Sequence, residues 1–73
     1  MGVNLLDTKV GKEYIIERIL TGDDELNAFL FSLGCYTGER ITVISKDWSR
    51  CIVAIKDGRY CIDNTMAQGI EVF

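Results

Sequence analysis

The chain has no histidine and no proline, and its three cysteines, Cys35, Cys51 and Cys61, stand far apart with no C-x-x-C pair. Without histidine the commonest general base is missing, and a cysteine nucleophile would need another. An odd number of thiols at such spacing points to reduced thiols and not to a disulfide framework, which fits a reducing compartment. The longest apolar run is "CIVAI", Cys51 to Ile55, far short of the ~20 residues a membrane-spanning helix needs. The opening "MGVNLLDTKV" lacks the basic head and apolar stretch of a signal peptide, and Leu6 stands where a myristoylation signal needs Ser or Thr. A cytosolic location is the expectation. Positive charge is also scarce: 11 acidic groups face 8 basic ones. Through Tyr36 there are six acids against three bases, a balance that argues against a nucleic-acid partner.

What remains is the composition of one small globular domain, 1–73, in which 48% of residues are apolar and no tract is of low complexity. At this length a single core is near the lower limit for holding a fold without staples. "KEYIIERIL", Lys12 to Leu20, is rich in β-branched and aromatic residues and reads as a strand. Its alternation is imperfect, which suits a bent strand covered in part on both sides.

"TGDDELNAFLFSLG" follows. Thr21 and Asp24 have capping-box spacing, and Asp23, Asp24 and Glu25 crowd the end where the helix dipole favours negative charge. Leu26, Phe29, Leu30 and Leu33 recur at i, i+3, i+4 and i+7, forming one apolar stripe, and Gly34 ends the helix. In "ERITVISK", Ile41 and Val43 share a face opposite Arg40, Thr42 and Lys46. "CIVAIK" and "RYCID" are separated by Asp57-Gly58, a hairpin signal. A turn there pairs Lys56 with Arg59, Ile55 with Tyr60 and Ala54 with Cys61. It gathers Cys51, Val53, Ile55, Tyr60 and Ile62 on one core face and places Cys51 and Cys61 on opposite faces, too far apart to bridge. "DNTMAQG" predicts a single helical turn, and "IEVF", Ile70 to Phe73, a last strand. So few short antiparallel strands cannot cover two open faces. The expected architecture is mainly β with one α-helix, a small, partly closed barrel whose open end the helix stripe plugs.

No nucleophile sits beside a base, and there is no P-loop or dinucleotide fingerprint, so no catalytic residue is assigned and an enzyme is not expected. Three consecutive acids within one helical turn point in different directions, so Asp23 to Glu25 read as a helix cap and no metal ligand is assigned. The informative residues are aromatic. Phe31 lies off the stripe, exposed unless the arm with Leu5 and Leu6 covers it. Trp48 in "KDWSR" occupies a hairpin tip. Tyr36 sits in the turn bounded by Gly34 and Gly38. These three are the candidate partner-binding residues, since exposed aromatics at fixed positions grip partners at low entropic cost.

Three segments in order, "LLDTKVGKEYII" (Leu5 to Ile16), "LFSLGCYTGERITV" (Leu30 to Val43) and "CIDNTMAQGIEV" (Cys61 to Val72), resemble the FeoA family, the small cytosolic partner of bacterial ferrous iron uptake. The resemblance covers essentially the whole chain. Cys35 departs from the usual aliphatic residue, Thr37 from a frequent proline and Cys61 from a common alanine. The resemblance implies an SH3-like barrel and a role assisting FeoB, the membrane transporter with a cytosolic GTP-binding domain. It implies no tightly bound cofactor and leaves room for weak binding of ferrous or another divalent ion. The rival it implies is a stand-alone metal-responsive domain akin to the C-terminal domain of iron-dependent repressors.

Overall fold

The computed structural model describes residues 3–73. Strand β1 (Val3–Asn4) leads into a 3-10 turn (Leu5–Asp7), then β2 (Glu13–Ile19), helix α1 (Asp24–Ser32), β3 (Arg40–Lys46), β4 (Arg50–Ile55), β5 (Gly58–Asp63), helix α2 (Asn64–Gln68) and β6 (Ile70–Val72). The strands form a single antiparallel sheet in the order β1-β6-β2-β3-β4-β5.

β2 turns the corner of this sheet. Glu13, Tyr14 and Ile15 pair with β3, whereas Ile16, Arg18 and Ile19 pair with β6. The register slips between Ile16 and Arg18, and again in β3–β4 between Val43 and Ser45. Such bulges sharpen twist and let a small sheet curl. The imperfect alternation of this strand is thus the mark of a strand shared by two halves of a barrel. Ile16, Ile41, Val43, Val53, Ile55, Ile62, Ile70 and Val72 fill the interior, all essentially inaccessible to water.

Three expectations need correction. The cap of α1 is Asp23, whose carboxylate accepts the backbone N–H of Glu25 and Leu26 at 2.9 and 3.3 Å. Thr21 lies outside the helix; its backbone N–H and hydroxyl both donate to the Asn27 side-chain oxygen. The later start leaves nine residues, and the apolar stripe is only half used. Leu30 is fully buried and Leu33 packs against the core, but Leu26 is half-buried and Phe29 is 46% exposed. Space in the interior goes instead to Leu5 and Ala67, both fully buried, on the 3-10 turn and α2, which pack against each other.

The β4–β5 turn is also displaced. Ile55 pairs with Gly58, Ala54 with Arg59, Val53 with Tyr60 and Ile52 with Cys61, so the two turn residues are Lys56 and Asp57. Lys56 takes a positive φ of 54°, while Gly58 serves as a flat platform: a Cβ there would collide with the Tyr60 ring. A close approach of side chain to backbone, not a left-handed turn, is what this glycine permits. The slip is of even parity, so Cys51, Val53, Ile55 and Ile62 still point inward with Tyr60 half-buried beside them, and Cys61 outward.

Candidate functional site

The segment from Phe31 to Glu39 is fastened at both ends. The Gly34 N–H donates to Phe31 O and the Cys35 N–H to Leu30 O, tying the turn to α1. The Gly38 N–H donates to Ile16 O, the Ile16 N–H to Glu39 O, and the Thr37 hydroxyl to Glu17 O, tying it to β2. Gly34 and Gly38 have φ of 103° and 90°, a region that L side chains rarely adopt. At Gly34 a Cβ would only touch Ile55 Cγ2, at 3.4 Å, so the backbone angle and not space is what calls for glycine. Cys35, between them, is fully buried, and desolvation pushes its thiol up to about 11. It fills core volume where it would be a poor nucleophile.

This frame holds Tyr36 outward at 48% exposure, stacked on Phe31, itself 43% exposed. Their ring centroids are 6.0 Å apart with an interplanar angle of 20°. The Lys56 ammonium lies 5.2 Å from the centre of the Tyr36 ring and 3.7 Å from a Glu39 carboxylate oxygen. Two aromatic faces, one cation and one anion therefore share a small patch. Leu5 of the N-terminal arm enters the core, and Phe31 stays exposed among the described residues.

Trp48 belongs elsewhere. It precedes β4, whereas Lys56 follows it, and a six-residue strand separates them by about 20 Å. The indole is 91% exposed, yet its backbone is held closely. Asp47 Oδ1 accepts the N–H groups of Ser49 and Arg50 at 2.8 and 2.9 Å, which holds its carboxyl below the ordinary value. Asn64 donates its side-chain amide to Trp48 O and its backbone N–H to Ser49 O, each at 3.0 Å. Phe31 and Tyr36 thus form one site, and Trp48 stands on another part of the surface.

Lys56 reaches Tyr36 only through the β4–β5 turn, 20 positions along the chain, and no local pattern signals that. Phe29 has the helical spacing of a core residue, and only the position of the helix on the barrel exposes it.

Among the described residues, no three His, Cys, Asp or Glu side chains gather as a metal site. Cys35 and Cys51 are buried and Cys61 is exposed on the opposite face. Asp23 is occupied as the cap of α1. No helix among the described residues is long and apolar enough to cross a membrane.

The pattern of the FeoA domain family matches residues 3–72. The chain belongs to the FeoA family. A crystal structure of an iron uptake regulatory protein, FeoA, aligns with a TM-score of 0.85 at 25% identity, covering 99% of this chain and 94% of that one. Stenotrophomonas maltophilia FeoA complexed with zinc aligns at 0.87 and 17% identity over 97% of this chain and 89% of its own; it is described as a prokaryotic SH3 domain protein and is proposed to act as a ferrous iron transport activating factor. A manganese-dependent transcriptional repressor aligns at 0.89 and 22% identity over 97% of this chain but 40% of the repressor. No curated protein matches the sequence. The barrel is therefore SH3-like, and its family is one of small domains of iron transport, not a known enzyme family.

Proposed function

We propose that this chain is a non-enzymatic, cytoplasmic accessory protein of bacterial ferrous iron uptake whose Phe31–Tyr36 patch docks on the cytosolic GTP-binding part of the FeoB transporter. Family membership supports the pathway. The patch supports the mode of action: exposed, stacked aromatics on a turn anchored to both α1 and β2 lose little freedom on docking, and aromatic side chains contribute disproportionately to interface energy. Lys56, placed over Tyr36, adds a charge that fits an acidic group at the rim of the partner's surface. The reading assigns no resident cofactor; any ferrous or other divalent ion would be held weakly, because the carboxylates and thiols are dispersed.

The test is calorimetric titration of the FeoB cytosolic domain with the native chain and with Phe31→Ala, Tyr36→Ala and Trp48→Ala. The expected result is a roughly tenfold weakening for each of the first two. Undiminished affinity for both, with native circular dichroism, rejects the patch.

The likeness to the manganese-dependent repressor favours a second reading, a metal-responsive domain without a transporter partner. An SH3-like fold alone decides nothing between them. A neighbouring gene encoding a multispanning protein with a P-loop favours transport, and one encoding a helix-turn-helix regulator favours the alternative.

A further inference from the structure

Among the described residues, β5 is an edge strand that pairs only with β4. A two-residue turn makes its flanking residues, Ile55 and Gly58, a hydrogen-bonded pair, and the bonded pairs then alternate along the ladder. Tyr60 and Ile62 accordingly direct their backbone groups at β4. Those of Arg59, Cys61 and Asp63 face away from it, and no backbone hydrogen bond outside the ladder engages Arg59 or Cys61 among the described residues.

Exposed edges are usually blunted by charge, above all lysine, by proline, a bulge, brevity or a covering element. The other edge, β1, has two residues among those described. β5 has six, with an unbroken register, no lysine and no proline, and its two charged residues, Arg59 and Asp63, are of opposite sign. Its sequence around Cys61 is also self-complementary. Turned about a two-fold axis through Cys61, the segment "RYCID" places Arg59 opposite Asp63 of a second copy, Tyr60 opposite Ile62, and Cys61 opposite itself.

We infer that β5 pairs antiparallel with β5 of a second copy of this chain, joining two barrels through one continuous sheet centred on Cys61. About four backbone hydrogen bonds form, from the Cys61 and Asp63 N–H groups to the Cys61 and Arg59 carbonyls of the other copy and the reverse. Neither Arg59 nor Asp63 belongs to an ion pair among the described residues. Asp63 spends one carboxylate oxygen on the Met66 N–H, which leaves the other for the second copy's guanidinium. On the outer face Ser45, Ile52 and Cys61 lie in one cross-strand row. Ile52 is 39% exposed there, beside a shallow groove of about 230 Å³ that Cys61 also lines. In the pair this row continues into Cys61 and Ile52 of the second copy, so an exposed apolar strip gains cover.

One strand pairing and its flanking side chains bury less than the ~1,200 Å² of a stable complex, so dissociation falls in the range of roughly tens to hundreds of micromolar. Sedimentation equilibrium from about 10 µM to 1 mM, in reductant, reads this as a monomer–dimer equilibrium. Cys61→Lys sets two cations face to face on the axis, and Arg59→Glu sets an anion against Asp63 twice. Both positions are exposed, so each variant folds and is monomeric across the range, whereas Cys61→Ser dimerises as the native chain does.

A second readout uses the narrow-pair spacing of about 5.5 Å between α-carbons, which lies within disulfide range. With diamide, two Cys61 thiols of a pair join as a disulfide while their two protons and two electrons reduce the azo bond to a hydrazine. The native chain gives a covalent dimer, and Arg59→Glu gives it at least fivefold more slowly. A native chain that stays monomeric to 1 mM overturns the inference. So does a dimer that persists in both Cys61→Lys and Arg59→Glu, because it must use another surface. The docking of FeoB is independent of either result.

Discussion

Tyr36 stacks on Phe31 at 6.0 Å across the Gly34 turn, with the Lys56 ammonium on the same tyrosine ring. The pair is exposed, so its loss should cost function more than stability. Phe31→Ala and Tyr36→Ala are each expected to shift the melting temperature by no more than a few degrees. Affinity for the partner falls about tenfold in the same proteins. Trp48→Ala, about 20 Å away, reports whether the partner extends to that part of the surface: a comparable loss of affinity places it in the interface, and none excludes it.

Leu30 and Phe29 are neighbours on one stripe with opposite fates. Leu30→Ala should destabilise the domain by roughly 2–5 kcal/mol, since it empties a fully buried site. Phe29→Ala should cost well under half of that in the same chemical denaturation series, because the residue is already 46% exposed. Equal losses would restore the broad four-residue ridge that the stripe suggests.

That contrast shows how far the sequence can be read. The strand and helix order, the inward faces and the glycine-bounded turn were legible because each depends on local spacing: period two for Ile41 and Val43, a break at Gly34. The packing of α1 was not. Four apolar residues at helical spacing say that a face exists, but the barrel's end was filled by Leu5 and Ala67, which no periodicity marks. Likewise Asp57-Gly58 signals a hairpin correctly and its turn by one residue wrongly: the positive φ falls on Lys56, and Gly58 lies in the strand with the Tyr60 ring against it. The Phe31–Tyr36–Lys56 patch was two-thirds legible, its cation arriving from a distant turn.

The turn assignment has its own consequence. Lys56 carries the positive φ, so Lys56→Gly should be neutral or stabilising by up to about 1 kcal/mol, whereas Gly34→Ala should be destabilising by roughly 1–2 kcal/mol. Thermal melts of the two variants check this. A marked destabilisation by Lys56→Gly would mean that its contact with Tyr36 outweighs the backbone strain.

Alkaline pH probes the buried thiol. Desolvation raises Cys35 from its ordinary 9.0 to about 11 in the native state, and Cys51 moves the same way, chiefly through burial. Below pH 9 both native and unfolded chains keep the proton, so stability is unaffected. Above it the unfolded chain releases its proton first, and stability falls as pH rises towards 11. Urea denaturation at pH 7, 9 and 10.5 should show this decline. The difference in slope between the native chain and Cys35→Ala isolates its share, which is absent if the thiol is not desolvated.

The docking account meets its most direct test in a ¹⁵N chemical-shift titration of this chain with the FeoB cytosolic domain, in the presence and absence of guanine nucleotide. The largest changes should fall on the amides of residues 31–39 and on Lys56. Shifts confined to other surfaces, or no shifts at saturating concentrations of the FeoB domain, would contradict it.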